Sequence, residues 1–230
     1  MRLNKFLSDA GVCSRRQADQ AIEDGLVFVA GKRANLGDQI NGDEEITFRD
    51  KLVKARANDY VILAYNKPKG VECTADPKVK NNIVSKVGYK TRVYPVGRLD
   101  LNSRGLILLT DNGELANELT KASNRHEKEY VVRVDKPLTQ SFIEKMSQGV
   151  YLKDLDKTTA PCKVTMRSKF TFSIVLVQGL NRQIRRMCNT FGYNVTDLQR
   201  VRIMDLELGD LASGSYKEID GRVLGFNKTN

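Results

Sequence analysis

The 230-residue chain has no tryptophan, a single histidine (His126) and four cysteines that stand far apart. One histidine without a matching nucleophile argues against a hydrolytic triad. The spacing of Cys13, Cys73, Cys162 and Cys188 matches no metal-ligand pattern, and free thiols are typical of a reducing compartment. These scarcities argue against a zinc site and a disulfide scaffold, and we expect no bound metal.

Long apolar segments are also missing. Runs such as Leu26–Ala30 and Val61–Tyr65 reach only five residues, whereas a membrane-spanning helix needs about 20. The first nine residues contain no signal-peptide core. The chain has neither a glycine-rich phosphate loop nor a dinucleotide fingerprint. We therefore expect a cytoplasmic protein with no membrane partner and no small-molecule cofactor.

Positive charge is in excess. The 38 basic and 28 acidic residues give a net charge of +10. Residues 1–59 are neutral overall, with 10 of each sign, so the excess falls on residues 60–230. Such an excess attracts polyanions. Nucleic acid is the first partner to consider, and an anionic membrane surface the second.

The first fifty residues predict a compact unit of two helices and a few short strands. Apolar residues at helical spacing indicate a helix over 2–11, and Ser14 with Gln17 forms a capping box for the next helix. Arg15 and Arg16 open that second helix, where the positive end of the helix dipole favours an anion. Two arginines at that position repel the positive end of the helix dipole, and a bound phosphate would relieve this repulsion. The simpler alternative is that both arginines are solvated.

This unit resembles the alpha-L RNA-binding module that a ribosomal small-subunit protein also contains. The resemblance rests on Arg2-Leu-Asn-Lys-Phe-Leu7, Gly11-Val-Cys-Ser-Arg-Arg-Gln-Ala18 and Val29-Ala-Gly-Lys32. It covers residues 1–50 and implies that the module docks structured RNA. Residues 51–59 are polar and without period, and we interpret them as a linker.

A second, larger domain is predicted over residues 60–230. Its apolar segments follow one another in hairpin-like succession with few helices between them, which favours an α+β fold on a mixed, mostly antiparallel sheet. Near residue 184 a helix is expected, with Ile184, Met187 and Cys188 on its apolar face. We expect Lys67 to face water and His126 to lie on an exposed loop.

The central stretch of this domain is Val96-Gly97-Arg98-Leu99-Asp100. It lies on a short connection between an apolar approach (Val93–Val96) and an apolar run (Leu106–Leu109). Loops held by a packed scaffold often carry reactive groups. Taken alone, the stretch is better interpreted as a surface turn in which Arg98 pairs with Asp100, and the rest of the chain changes this preference.

Three motifs together resemble the pseudouridine synthases. They are the segment 96–113 around Gly97-Arg-Leu-Asp100, Lys128-Glu-Tyr130, and Gly179-Leu-Asn-Arg-Gln-Ile-Arg-Arg-Met187. With the N-terminal module, the resemblance runs nearly end to end and is closest to the RsuA/RluF branch. The segment 179–187 is most similar to the RluF type, which implies a uridine in 23S (large-subunit) rRNA as the target.

The resemblance also implies residue roles. Asp100 corresponds to the catalytic carboxylate, Tyr130 to the ring that packs on the target base, and Arg185 to the cation that pairs with the carboxylate. Arg98 corresponds to the side chain that fills the space left by the extruded uridine. The full set of expected RNA contacts is Arg98, Leu99, Leu101, Leu180, Asn181, Arg182, Gln183, Arg186, Arg15 and Arg16.

The chemistry fits those residue types. A base must leave the helical stack before its glycosidic bond can be exchanged for a carbon–carbon bond, and an aromatic ring can hold it there. A neighbouring arginine favours the ionised form of a carboxylate. Because uridine and pseudouridine are isomers, the reaction needs no cofactor. The sequence leaves open whether the carboxylate attacks the sugar, attacks the base or removes a sugar proton.

Two other functions remain open at this point. The same chemistry can act on 16S rRNA or tRNA, or the chain can be a non-catalytic, RNA-binding ribosome-assembly factor. A pure binding protein has no need of both Asp100 and Arg185. In either case an rRNA stem-loop or a tRNA is the expected partner, and the resemblance implies a monomer.

We expect that reversing the charge of both Arg15 and Arg16 to Glu weakens RNA binding and flattens its salt dependence. Each lost phosphate contact reduces the slope of log K against log salt concentration by about 0.9 for a duplex. Affinities for an rRNA stem-loop, measured over a salt series, check this. An unchanged slope would remove both arginines from the interface.

Overall fold

The computed structural model describes residues 1–55 and 60–225. Its N-terminal unit packs two helices against a four-stranded antiparallel sheet with the order β2-β1-β3-β4. The capping box is confirmed, since the Gln17 amide donates to the Ser14 hydroxyl at 3.2 Å and the Ser14 amide donates to Gln17 Oε1 at 2.9 Å. The elements of this unit are α1 (Leu3–Asp9), α2 (Arg15–Glu23), β1 (Val27–Val29), β2 (Lys32–Arg33), β3 (Ile46–Phe48) and β4 (Lys51–Val53).

The linker predicted over 51–59 begins too early, because Lys51–Val53 forms β4 and pairs with β3. The two residues between these strands, Arg49 and Asp50, both have positive φ, at 50° and 62°. That conformation matches the right-handed twist of a two-residue hairpin. Since the pair is not the usual Asn-Gly, its sequence does not indicate the turn. Residues 56–59 of the predicted linker lie outside the described residues.

The larger unit is built on a nine-stranded sheet, whose main order is β11-β12-β8-β13-β7-β5-β15. The expected mixed, mostly antiparallel sheet is confirmed, with β13 and β7 as the parallel neighbours. Two further strands extend it, β6 beside β7 and β14 beside β13.

Four helices pack around this sheet. The elements of the larger unit are β5 (Ile62–Lys67), α3 (Ile83–Val87), β6 (Tyr94–Val96), β7 (Arg104–Thr110), α4 (Gly113–Thr120), β8 (Lys128–Val134), α5 (Gln140–Ser147), β9 (Tyr151–Leu152), β10 (Lys157–Thr158), β11 (Lys163–Ser168), β12 (Thr171–Leu176), α6 (Gln183–Thr190), β13 (Val195–Ile203), β14 (Leu206–Glu207) and β15 (Tyr216–Glu218).

The alternating apolar residues over 201–208 do not form one strand. Strand β13 ends at Ile203, and β14 folds back so that Leu206 pairs with Ile203. Met204 makes the turn with a φ of 52°. Because apolar residues continue through this turn, the hydrophobic pattern gives no sign of it.

The two units meet at α1 and α4. Lys5 Nζ lies 2.7 Å from Asp9 Oδ2 in its own helix and 2.9 Å from Glu114 Oε1 in the first turn of α4. These two carboxylates raise the pKa of Lys5, and the hydrogen bond to Asp9 is the largest cause. One lysine thus links the two units. None of the described helices has the length and apolar content that crossing a bilayer requires.

Gly105 is the closest point of contact between the parallel strands β7 and β13. Its φ is +105°, and a Cβ at this position would lie 2.2 Å from the carbonyl oxygen of Arg200. Only glycine fits such an approach without moving one of the strands. The contact holds β13 and its side chains against the centre of the sheet.

Gly105→Ala is expected to lower the free energy of unfolding by about 3 kcal/mol or more, because the backbone clash adds to the positive-φ penalty. Gly214→Ala is the matched control. It has a φ of +82° with open space around it, so a loss of about 1 kcal/mol is expected. Urea unfolding of both variants measures the difference, and equal losses would show that β13 moves aside freely.

Candidate active site

The connection between β6 and β7 carries Asp100 and is held in place by its own backbone. The Ser103 amide donates to the Asp100 carbonyl at 3.0 Å, and the Gly70 amide donates to the Leu101 carbonyl at 2.9 Å. These bonds tie the connection to itself and to the loop after β5. The carboxylate is therefore presented from a rigid loop, one-third exposed.

Arg185 on α6 reaches across to this loop. Its Nη2 donates to the Asn102 carbonyl at 3.0 Å and to Ser103 Oγ at 3.2 Å, and its Nη1 donates to the Val195 carbonyl at 3.2 Å. The remaining nitrogen, Nε, lies 3.7 Å from Asp100 Oδ2. Three hydrogen bonds thus fix the guanidinium plane so that one edge faces the carboxylate.

The electrostatics of this pair follow from its partial burial. Burial lowers the pKa of Arg185 and the charge of Arg182 lowers it further, whereas Asp100 and Asp197 raise it. A guanidinium nevertheless stays charged at any physiological pH. Because Arg185 is largely buried and Asp100 is one-third exposed, solvent screens the pair only in part, and its attraction exceeds that of a fully exposed ion pair.

Asp100, Tyr130 and Arg185 line one cavity of about 730 Å³. This volume lies within the usual range for small-molecule sites and can hold one nucleotide. Seven of the ten expected RNA contacts also line the cavity, namely Arg98, Leu99, Leu101, Leu180, Asn181, Arg182 and Gln183. The three motifs, distant in sequence, thus meet in one place.

The seven residues differ in exposure. Arg98 and Leu101 are exposed at the mouth of the cavity, but Leu99 and Gln183 are buried. The amide oxygen of Gln183 accepts from the Leu180 amide at 3.1 Å. Leu99 and Gln183 thus help to hold the loops of the cavity in place, and their direct contact with RNA stays a prediction.

The other three expected contacts lie outside the main cavity. Arg186 lines a neighbouring cavity of about 340 Å³ together with Arg182 and Arg185, and it pairs with Asp154. Arg15 and Arg16 are exposed on the first turn of α2, as their position after the cap predicts. They offer charge to a polyanion at a distance from the cavity.

Lys67, which we expected to face water, is fully buried at the end of β5. Its Nζ donates to the carbonyls of Pro68 at 3.0 Å and Val71 at 2.8 Å. Burial lowers the pKa of Lys67, while Cys73 and Asp100 raise it. All six residues of β5 are buried, so the apolar run before Lys67 is the sequence signal for this burial.

His126 lies on a loop between the exposed residues Arg125 and Glu127, as expected. Its own side chain is half-buried and lines the cavity.

Sequence reasoning also missed Arg200 and the role of Cys73. Arg200 lies on β13, is buried, and lines the cavity. Cys73 Sγ accepts a hydrogen bond from the Leu99 amide at 3.3 Å, which supports the loop that carries Asp100. A lone arginine in an alternating strand and a lone cysteine carry no motif by which to find them.

Comparison with known proteins identifies the family of this constellation. The pattern that defines RNA pseudouridylate synthases matches residues 60–190, more than half of the chain. The chain belongs to the RNA pseudouridylate synthase family. The S4 domain pattern matches residues 1–46 and confirms the expected N-terminal RNA-binding module.

Relatives across the whole length agree with this synthase family. The chain is 48% identical over 220 residues to the dual-specificity RNA pseudouridine synthase RluF of Escherichia coli strain K12, covering 95% of this chain and 75% of that protein. It is 36% identical to the ribosomal large subunit pseudouridine synthase B of Vibrio cholerae, with 95% and 71% covered. The expected resemblance to the RsuA/RluF branch is confirmed.

A solved structure supports the same synthase fold. The crystal structure of a pseudouridylate synthase superimposes with a TM-score of 0.71 at 28% sequence identity, covering 97% of this chain and 98% of that one. The architecture and the family therefore agree, and the chain is an RNA-uridine isomerase by family.

Arg185→Lys is expected to lower kcat by about 10²-fold, because an ammonium cannot hold three backbone and hydroxyl acceptors and face the carboxylate together. RNA affinity should stay within about threefold, since Arg185 is largely buried and its fixed bonds are internal. Single-turnover kinetics and filter binding measure the two effects. An unchanged kcat would show that the fork geometry is irrelevant to turnover.

Proposed function

We propose that this synthase converts a specific uridine of 23S rRNA to pseudouridine, with Asp100 as the reacting carboxylate. The observation that carries the proposal is the Asp100–Arg185 ion pair at 3.7 Å in the wall of a cavity of nucleotide size. The name of the Vibrio cholerae relative, a large-subunit synthase, supports the choice of RNA.

Each residue of the constellation has a role in this proposal. Asp100 reacts with the flipped nucleotide, Arg185 keeps the carboxylate ionised and oriented, and Tyr130 stacks on the uracil. Arg98, exposed at the mouth, occupies the gap that the base leaves in the stack. The cost of extrusion, a few kcal/mol, is offset in part by this entering charge.

The reaction exchanges one bond for another within a single nucleotide. The bond between C1′ and N1 breaks, the base turns, and C5 bonds to C1′. C5 loses a proton and N1 gains one, so the product has the same composition as uridine. No oxidant, metal or group carrier is required by this balance. We accordingly propose a monomer that acts in the cytoplasm without cofactor, in which residues 1–55 dock RNA and residues 60–225 carry the chemistry.

A second RNA substrate is the main alternative. The Escherichia coli relative is named as a dual-specificity synthase, which supports 16S rRNA or tRNA as a further or different target. A non-catalytic assembly factor is less well supported, because such a protein has no use for an Arg185 that is held by three hydrogen bonds beside Asp100.

Transcripts of 23S rRNA, 16S rRNA and tRNA labelled with tritium at C5 of uridine test the proposal, because C5 loses its hydrogen when it bonds to C1′. The wild-type protein is expected to release tritium from 23S rRNA. Asp100→Asn should lose about 10³-fold or more in rate while its RNA affinity stays the same, since the carboxylate and the amide have the same shape.

The matched control is Asp210→Asn, which makes the same change at an exposed site and should leave the rate unchanged. Release of tritium only from 16S rRNA or tRNA would contradict 23S rRNA as the target but support the proposed reaction. A folded wild-type protein that releases no tritium from any of the three RNAs would contradict the enzymatic proposal.

A further inference from the structure

A group of basic side chains lines the cavity at the sheet, and neither the ion pair nor the ring of Tyr130 accounts for it. We call Arg200, Lys128 and His126 the rear wall. Arg200 lies opposite Tyr130 in the pairing of β13 with β8 and opposite Gly105 in the pairing of β13 with β7. It is therefore placed at the centre of the sheet beneath the cavity.

Arg200 is the most deeply buried member of the rear wall, with an exposed fraction of 3%. Its Nε donates to the Leu106 carbonyl at 2.6 Å. Its Nη2 is buried, and among residues 1–55 and 60–225 it has no hydrogen-bond partner. A buried guanidinium nitrogen without an acceptor is costly. The arrangement is stable and useful if a ligand in the cavity supplies the acceptor.

Lys128 adds a second cation to the rear wall. Its Nζ donates to the His126 carbonyl at 3.0 Å. Burial lowers the pKa of Lys128, and the charge of Arg200 lowers it further. His126 Nε2 is buried, with no hydrogen-bond partner in the described part of the chain. We therefore expect the ligand group that faces Arg200 and Lys128 to be a hydrogen-bond acceptor that carries negative charge.

Position decides which part of the nucleotide this is. Arg98 and Leu101 line the cavity and are exposed, so we expect the RNA backbone and its phosphates on their side. Arg200 lies on β13 within the sheet and is only 3% exposed. We therefore expect a base stacked on Tyr130 to turn a carbonyl oxygen, rather than a phosphate, toward Arg200.

We propose that Arg200 donates a hydrogen bond to a carbonyl oxygen of the flipped uracil and stabilises the negative charge that the ring carries once its glycosidic bond breaks. This inference rests on the proposed function. Hydrogen-bond donors aimed at a developing anion in a water-poor site are among the strongest catalytic devices.

The electron balance requires such an anion. When the bond between C1′ and N1 breaks, its electron pair stays with the ring, and the charge spreads over N1, O2 and O4. Asp100 makes good the loss at C1′, either by bonding to it or by taking the C2′ proton. The ring then returns a pair as C5 bonds to C1′. In the first case the bond between Asp100 and C1′ breaks at this step, and in the second Asp100 gives the proton back to C2′. The C5 proton leaves, and N1 takes up a proton.

The test compares two ring substituents. Transcripts of 23S rRNA are made with uridine or with 5-fluorouridine, whose fluorine withdraws electrons and stabilises the ring anion by itself. Single-turnover formation of the C-glycoside is followed by nucleoside digestion and mass spectrometry, a readout that does not require loss of a C5 hydrogen. Far-UV circular dichroism and RNA affinity are measured for every variant.

Arg200→Gln is expected to lose about 10²-fold in rate on uridine and only about tenfold on 5-fluorouridine, since one pKa unit in the leaving ring corresponds to a factor of ten. Arg200→Lys, which keeps the charge, should show a smaller loss with the same dependence on fluorine. Arg202→Gln is the control. It removes the same charge from the same strand, but at a residue paired with Glu127 and Glu129.

Equal losses on the two substrates would overturn the inference and assign Arg200 a structural role only. If Arg200→Gln does not fold, Arg200→Lys is used for the comparison. An equal loss of rate of Arg200→Lys on uridine and on 5-fluorouridine would likewise overturn the inference. Failure of the proposed function looks different, because the wild-type protein would then form no C-glycoside from uridine. If the wild-type protein is active but Arg200→Gln loses the same factor on uridine and on 5-fluorouridine, the inference about Arg200 is wrong and the proposed function stands.

Discussion

The site depends on the way Arg185 of α6 is bonded to two other parts of the chain. Its guanidinium donates to the carbonyl of Val195, the first residue of β13, and to that of Asn102, which is 83 residues away in the connection before β7, and it faces Asp100. A helix is a rigid support for such a side chain, and α6 is seated in the core by Met187 and Cys188. The packing of α6 in the core thereby fixes the distance between the Arg185 guanidinium and the Asp100 carboxylate.

Around this contact the protein keeps an excess of buried positive charge. Lys67 and Arg200 satisfy part of their hydrogen-bonding capacity with backbone carbonyls. Asp197 pairs with Arg104 at 2.8 Å and with Lys69 at 2.6 Å. Such a cavity favours an anionic ligand. Its stabilisation of the base increases as the base gains negative charge during cleavage of the glycosidic bond.

Local rules accounted for much of the fold. The capping box at Ser14 and the apolar stripe of α6 both indicate the observed helices, because each is decided by neighbours in sequence. The turns at Arg49–Asp50 and at Met204 were not predicted, because they lack the usual glycine and depend on strand pairing. Asp100 and Arg185 could be named through the family motifs, whereas the burial of Lys67, Gln183 and Arg200 depends on how elements far apart in sequence pack together.

The rear wall has a consequence for how such a protein tolerates change. Arg200, a buried cation without a carboxylate partner, does not stabilise the ligand-free protein. Replacing buried charges with apolar side chains of similar volume is commonly neutral or stabilising. Resistance to heat and speed of turnover therefore make opposite demands on Arg200. Laboratory selection for thermal stability alone would therefore favour variants that have lost Arg200, and such variants would be more stable but catalytically impaired.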